Sequence, residues 1–136
     1  MRIATWNING VKARLEGAVT WLKETSPDVA CFQEIKSVNE AFPSQVFEDL
    51  GYNVAVHGQK GFNGVAILSK RPFDEIAVRG LPGDEADQHA RYIEVCVPRK
   101  GGVVRIGNGI KIREKVIVNV PDEISTASTS NVPMVQ

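Results

Sequence analysis

The chain has 136 residues, a length for one domain, and 43% of them are hydrophobic, enough for a modest core. Sixteen basic residues balance 16 acidic ones, which excludes a strong general field for nucleic acid and leaves only a local basic patch. Two tryptophans and five phenylalanines argue against a disordered chain, and two cysteines exclude a disulfide framework.

Residues 2–6, RIATW, read as a buried strand ending at Asn7, too short and strand-like for the core of a signal peptide. No apolar run approaches the ~20 residues that span a bilayer, so a cytoplasmic protein with no membrane partner is expected. Asn9 and Gly10 make a turn, and Val11, Leu15, Ala18, Val19 and Leu22 then recur at helical spacing. Lys12, Arg14, Glu16, Lys23 and Glu24 take the other side. Gly17 inside this helix predicts either close packing or a weak spot costing about 1 kcal/mol relative to Ala. Pro27 stops the helix.

Residues 29–32, VACF, form a second apolar run of strand length, followed by Gln33 and Glu34. Strand, helix and strand together predict a right-handed βαβ unit whose two strands are parallel. Their C-terminal ends then share one side of the sheet, so Asn7 and Glu34 are expected close together, where open α/β sheets bind ligands.

Pro43 can start a short helix with Val46, Phe47 and Leu50 as its buried side, and Gly51 caps it. Residues 52–57 alternate as a strand, and 58–61 form a loop. Residues 65–68, apolar in succession within a strand over 64–69, predict burial on both faces, and Lys70, Arg71 and Pro72 end that strand. A weaker strand at 73–78 precedes a glycine- and acid-rich loop at 80–88. Strands follow at 91–97 and 103–106, joined by a turn at 98–102. Short strands linked by tight loops predict antiparallel pairing, and hence a mixed sheet. Beyond residue 108, 110–113 alternates, 115–120 can form another strand, and 125–131 is a small-polar tract expected to be disordered or loosely attached.

A carboxylate at a strand end beside an amide suits a hard cation such as Mg²⁺, which prefers oxygen ligands. Glu34 is the principal candidate ligand, with Asn7 supplying a carbonyl oxygen or ordering a water. The plainer readings are an exposed acid at a strand terminus and a turn or capping asparagine. One carboxylate is little for Mg²⁺, so phosphates or further acids would complete the shell. Lys60, Asn63, Lys70 and Arg71 make 58–72 locally basic, as phosphate contact requires and as ordinary loop solvation also explains. Arg91 either reaches a phosphate or pairs with Asp84, Glu85 or Asp87. His57 has no cysteine or histidine at zinc-ligand spacing, and Cys31 and Cys96 read as buried free thiols in a reducing compartment. Glycine-rich phosphate loops, GxSxG, HExxH and CxxC are absent, which removes most support for nucleotide-dependent phosphotransfer, acyl transfer and zinc hydrolysis.

Five ordered stretches resemble the exonuclease III family of DNA repair enzymes, within the endonuclease/exonuclease/phosphatase superfamily. They are IATWNINGVKARL (3–15), PDVACFQEIK (27–36), GYNVAVHGQKGFNGVAILSK (51–70), RGLPGD (79–84) and ARYIEV (90–95). The resemblance implies an α/β fold, part of a four-layer sandwich of two sheets flanked by helices, containing the βαβ unit. It implies Mg²⁺-dependent hydrolysis of DNA phosphodiesters, with Mn²⁺ as a substitute, on duplex carrying an abasic site or a 3′ end. Glu34 and Asn7 then match the catalytic, metal-holding positions. Asn9 matches a position near the metal that serves DNA binding, Arg91 a DNA-backbone contact, and Lys60 and Asn63 fall in the 60–64 loop of the family's DNA-facing region.

The resemblance covers 1–107, an N-terminal half. The family continues with a YxPNG motif where this chain has Asn108-Gly109-Ile110-Lys111-Ile112, so 108–136 is expected to be a divergent, partly disordered tail. The family's remaining acidic, asparagine and histidine site residues have no counterpart, and weak or absent turnover is expected. The alternatives are a non-catalytic nucleic-acid-binding or interaction fragment and an unstable truncated remnant. An exposed sandwich face would favour self-association.

Overall fold

The first strand, β1 (Arg2–Asn7), pairs in parallel with β2 (Val29–Gln33), in register from Ile3 opposite Val29 to Asn7 opposite Gln33. Between them runs the helix α1 (Leu15–Thr25), giving the expected strand-helix-strand unit in this computed structural model, which describes residues 1–79, 89–109 and 116–119. The helix starts later than the spacing from Val11 suggests. The N–H groups of Gly10 and Val11 donate to the carbonyls of Glu34 and Ile35 at 2.8 and 3.0 Å, so this stretch is bonded to the chain beyond β2. At the other end Ser26 adopts φ +44, its N–H closes on Leu22 O, and Pro27 prevents continuation. A Cβ on Gly17 would meet nothing within 4 Å, so this glycine is the weak spot rather than a close contact.

After a 3₁₀ turn at Asn39–Ala41 come α2 (Ser44–Asp49), β3 (Asn53–His57) and β4 (Val65–Ser69). Next are β5 (Glu75–Arg79), β6 (Tyr92–Arg99), β7 (Gly102–Gly109) and β8 (Val116–Asn119). One sheet has the order β3-β4-β2-β1-β8 and is mixed, since its only parallel pair among the described residues is β1 with β2. The other, β5-β6-β7, is antiparallel throughout. β6 runs through Pro98 to Arg99, where a turn was expected. The ladder between β5 and β6 stops at Cys96, opposite Glu75, so proline's missing N–H costs no bond on that side. β7 continues past residue 107, and β8 lies antiparallel to β1.

The mixed sheet is covered on both faces. Ile3, Val29, Cys31, Val65 and Ile67 face Ile93, Val95, Val97, Val104 and Ile106 of the antiparallel sheet. Ala30, Phe32, Ala66 and Leu68 pack on the opposite side with Ala18 and Leu22 of α1 and Phe47 of α2. Each fully buried large side chain contributes roughly 1.5–3 kcal/mol, and β4, buried at every position, is the strand its apolar run predicts. Cys31 and Cys96 are free and buried. Burial pushes the Cys31 thiol up to about 12, which leaves it unreactive. The fold is thus helices on a mixed sheet on an antiparallel sheet, the α/β sandwich architecture expected. Among the described residues no helix is long and apolar enough to cross a membrane. The 80–88 loop, the 110–113 alternation and the 125–131 tract lie outside the described residues.

Candidate cation and nucleic-acid site

Three loops meet where β1 and β2 end. Ile8 N–H donates to Gln33 O at 3.0 Å, Ile35 N–H to Gly64 O at 3.1 Å, and Lys36 N–H to Asn63 O at 3.0 Å. Four non-glycine residues in these loops have left-handed backbone: Asn9 (φ +45), Glu34 (+51), Lys36 (+52) and Asn63 (+56). Asparagine tolerates that region, but for glutamate and lysine it costs on the order of 1–3 kcal/mol and persists only where surroundings enforce it. Here the interloop hydrogen bonds do so. Gly64 (φ +90) permits the closest approach, since a Cβ there would lie 2.5 Å from Ile35 Cγ1.

The turn at Glu34 brings its carboxylate to the Asn7 side chain, whose Nδ2 donates to Oε2. With its nitrogen so engaged, the amide keeps its oxygen as an acceptor, and the local donor set is hard oxygen, which fits Mg²⁺ or Mn²⁺. Among the described residues no three acidic, histidine or cysteine side chains gather into a group that could hold a metal ion, and Glu34 is the carboxylate of this pair. Asn9 lies beside them, its carbonyl accepting from Arg14 Nη1 at 3.1 Å. His57, at the same end of β3, is held toward its neutral form by burial.

Gln59 gathers the basic loop. Its Oε1 accepts from Asn63 Nδ2 at 3.2 Å and from Ala90 N–H at 3.0 Å, and its own N–H donates to Ser37 O at 3.0 Å. Gly64 N–H donates to Ala90 O at 2.8 Å, so the 59–64 loop and Arg91 are neighbours. Arg91 Nη2 lies 2.8 Å from His89 Nδ1, and His89 stands edge-on to Phe62 at 5.8 Å. Phe62 is 52% exposed, an apolar surface beside exposed Lys60. The structure thus brings Asn7, Asn9, Glu34, Lys60, Asn63 and Arg91 to one end of the sheets. Lys70 and Arg71 go to the other: Lys70 N–H donates to Asp28 O at 2.9 Å, before β2 begins.

Gln33, Thr5 and Asn108 are the residues that reading the sequence missed. All three are buried, and Gln33 Nε2 lies 2.8 Å from both Thr5 Oγ1 and Asn108 Oδ1. The available signal was a polar residue at an inward position of an otherwise apolar alternation, as in Val104, Ile106, Asn108.

A sequence profile of the Endonuclease/Exonuclease/phosphatase family matches residues 4–133. The chain is 39% identical over 109 residues to exodeoxyribonuclease III of Haemophilus influenzae, covering 80% of this chain and 40% of that protein. Among solved structures, the 3′ phosphatase NExo from Neisseria bound to product DNA hairpin superposes with TM-score 0.73 at 33% identity, over 82% of this chain and 42% of that one. An AP endonuclease from Archaeoglobus fulgidus gives TM-score 0.68 at 38% identity, over 78% and 40%. The chain spans about two fifths of the length of these relatives. The sandwich, the paired strand ends and the profile agree: the chain belongs to the Endonuclease/Exonuclease/phosphatase family.

Proposed function

We propose that this chain supplies the Asn7 and Glu34 part of a Mg²⁺ centre, also served by Mn²⁺, for hydrolysis of DNA phosphodiesters. The observation that carries this reading is the left-handed Glu34, turned so that its carboxylate meets the Asn7 amide at the sheet's ligand-binding end. Glu34 holds the cation, and Asn7 orients the carboxylate. When bound, such a cation polarises a phosphoryl oxygen and offsets the charge that develops on it. Lys60, Asn63 and Arg91 grip backbone phosphates, Asn9 lines the approach, and Phe62 gives an apolar contact for an unstacked base or sugar. Duplex with an abasic site or a 3′ end is the substrate class, in the cytoplasm. Hydrolysis also needs aligned water and a stabilised leaving oxygen, which one carboxylate and one amide do not supply, so slow turnover is expected from this chain.

The test is Mn²⁺ titration of the purified chain with and without abasic duplex, for wild type and Glu34→Gln. Wild type should bind Mn²⁺, more tightly with the duplex present, and the variant should lose both effects. Unchanged Mn²⁺ binding in Glu34→Gln would overturn the assignment. Cation-dependent nicking of abasic duplex, lost in the same variant, would replace slow turnover with full catalysis in this chain.

A further inference from the structure

Asn108 belongs to β7 of the antiparallel sheet, yet every hydrogen-bonding atom of its side chain is spent on the mixed sheet. Its Nδ2 donates to Phe32 O and Ala66 O, each at 2.9 Å, and its Oδ1 accepts from Gln33 Nε2 at 2.8 Å. Phe32 and Ala66 face one another in the register of β2 and β4, so a single amide holds two adjacent strands. The two carbonyls can only accept, which forces the Asn108 nitrogen toward them and its oxygen toward Gln33. Gln33 must answer with its nitrogen, and that nitrogen also reaches Thr5 Oγ1. Asn108 is 2% exposed, and Gln33 and Thr5 are fully buried.

This network sits directly under the candidate site. Gln33 precedes Glu34 in the chain and is the register partner of Asn7, while Thr5 lies two residues before Asn7 on the same strand face. The apolar contacts between the sheets have no direction and tolerate sliding, whereas three hydrogen bonds from one amide do not. The left-handed turn at Glu34 needs fixed neighbours to hold it.

We infer that Asn108 is a positioning residue: through Gln33 and Thr5 it fixes the strand ends that aim the Glu34 carboxylate and the Asn7 amide at the cation. The inference rests on the proposed cation-holding role of that pair. It extends the centre to a residue of the second sheet and makes sheet-to-sheet alignment a determinant of cation affinity.

The test uses the full chain and two readouts: NMR resonances of the Asn7 side-chain amide and the Glu34 carboxyl carbon, and Mn²⁺ affinity. Asn108→Asp keeps the shape but turns an oxygen toward at least one of the two carbonyls. Both resonances should shift or broaden and Mn²⁺ affinity should fall about tenfold. Tyr52→Phe, which breaks a bond to Pro27 O at the opposite end of the sheet, should move neither readout. Should Asn108→Asp fail to fold, Thr5→Val carries the same expectation in weaker form. A folded Asn108 or Thr5 variant with wild-type Asn7 and Glu34 resonances overturns the inference. Wild-type protein that binds no Mn²⁺ overturns the cation reading instead, while the metal-free resonances still decide the role of Asn108.

Discussion

Asn7 and Glu34, 27 residues apart in the chain, are joined by a hydrogen bond from the Asn7 amide nitrogen to the Glu34 carboxylate. Two features of the backbone produce this contact. Parallel pairing places the ends of β1 and β2 side by side, and a left-handed residue follows β2 and turns its carboxylate toward Asn7. A bond of this kind fixes the direction of the carboxylate, as the proposed cation site requires.

Replacing that donor by a second acid tests the site's chemistry. Asn7→Asp sets two carboxylates against each other and should destabilise the metal-free protein on the order of 1–2 kcal/mol at neutral pH. The same variant should bind Mg²⁺ more tightly, so millimolar Mg²⁺ should raise its Tm by more than it raises that of wild type. Thermal unfolding in EDTA and in Mg²⁺ measures both; a Tm insensitive to Mg²⁺ in the variant would count against a shared cation.

Salt dependence separates the two ends of the basic 58–72 stretch. Lys60→Ala and Arg91→Ala should each weaken binding to duplex DNA and reduce the slope of log K against log salt by about one. Lys70→Ala should leave the slope unchanged, since Lys70 Nζ donates to Ser26 O at 3.1 Å, at the far end of the sheet. Fluorescence anisotropy across a salt series reads all three.

Two glycines should respond to alanine in opposite directions. Gly64→Ala combines φ +90 with a Cβ 2.5 Å from Ile35 Cγ1 and should cost more than about 2 kcal/mol. Gly17→Ala, in open space on α1, should stabilise by about 0.5–1 kcal/mol. Urea denaturation gives both values, and a destabilised Gly17→Ala would count against open space at that position.

Alkaline pH should unfold the protein through two groups. Cys31, ordinarily near 9.0, and Tyr52, ordinarily near 10.0, are each pushed up to about 12. Burial is the main cause for both, and Asp28's charge adds to it at Tyr52. A value raised in the folded state means that folding holds the proton. The corresponding stability is present in full below pH 9 and is lost as pH climbs from there toward 12. Unfolding free energies measured from pH 8 to 12 should fall across that window. Tyr52→Phe should flatten the upper part, at a neutral-pH cost of about 1 kcal/mol for the lost bond to Pro27 O.

The sandwich could be read largely from local pattern. Helical spacing around Ala18 and Leu22, the apolar run in β4 and the strand-length runs in β1 and β2 each name an element, because burial on one or both faces imposes its own period. Even the meeting of Asn7 with Glu34 follows, since a crossover helix permits only one placement of two parallel strand ends. Boundaries were less legible. Val11 keeps the helical spacing but spends its N–H on Ile35 O, and Pro98 stays within a strand because the neighbouring strand has already ended.

By itself, then, the sequence determined which segments become strands and helices and which two polar residues close the first βαβ unit. Tertiary structure alone decided how the basic residues divide, because β4 carries the chain roughly 17 Å between Lys60 and Lys70, close neighbours in sequence. It alone revealed Asn108 as the tie between the sheets. A buried amide's partners are carbonyls and side chains distant in sequence, and hydrogen-bond satisfaction is a property of the folded neighbourhood that no local period records.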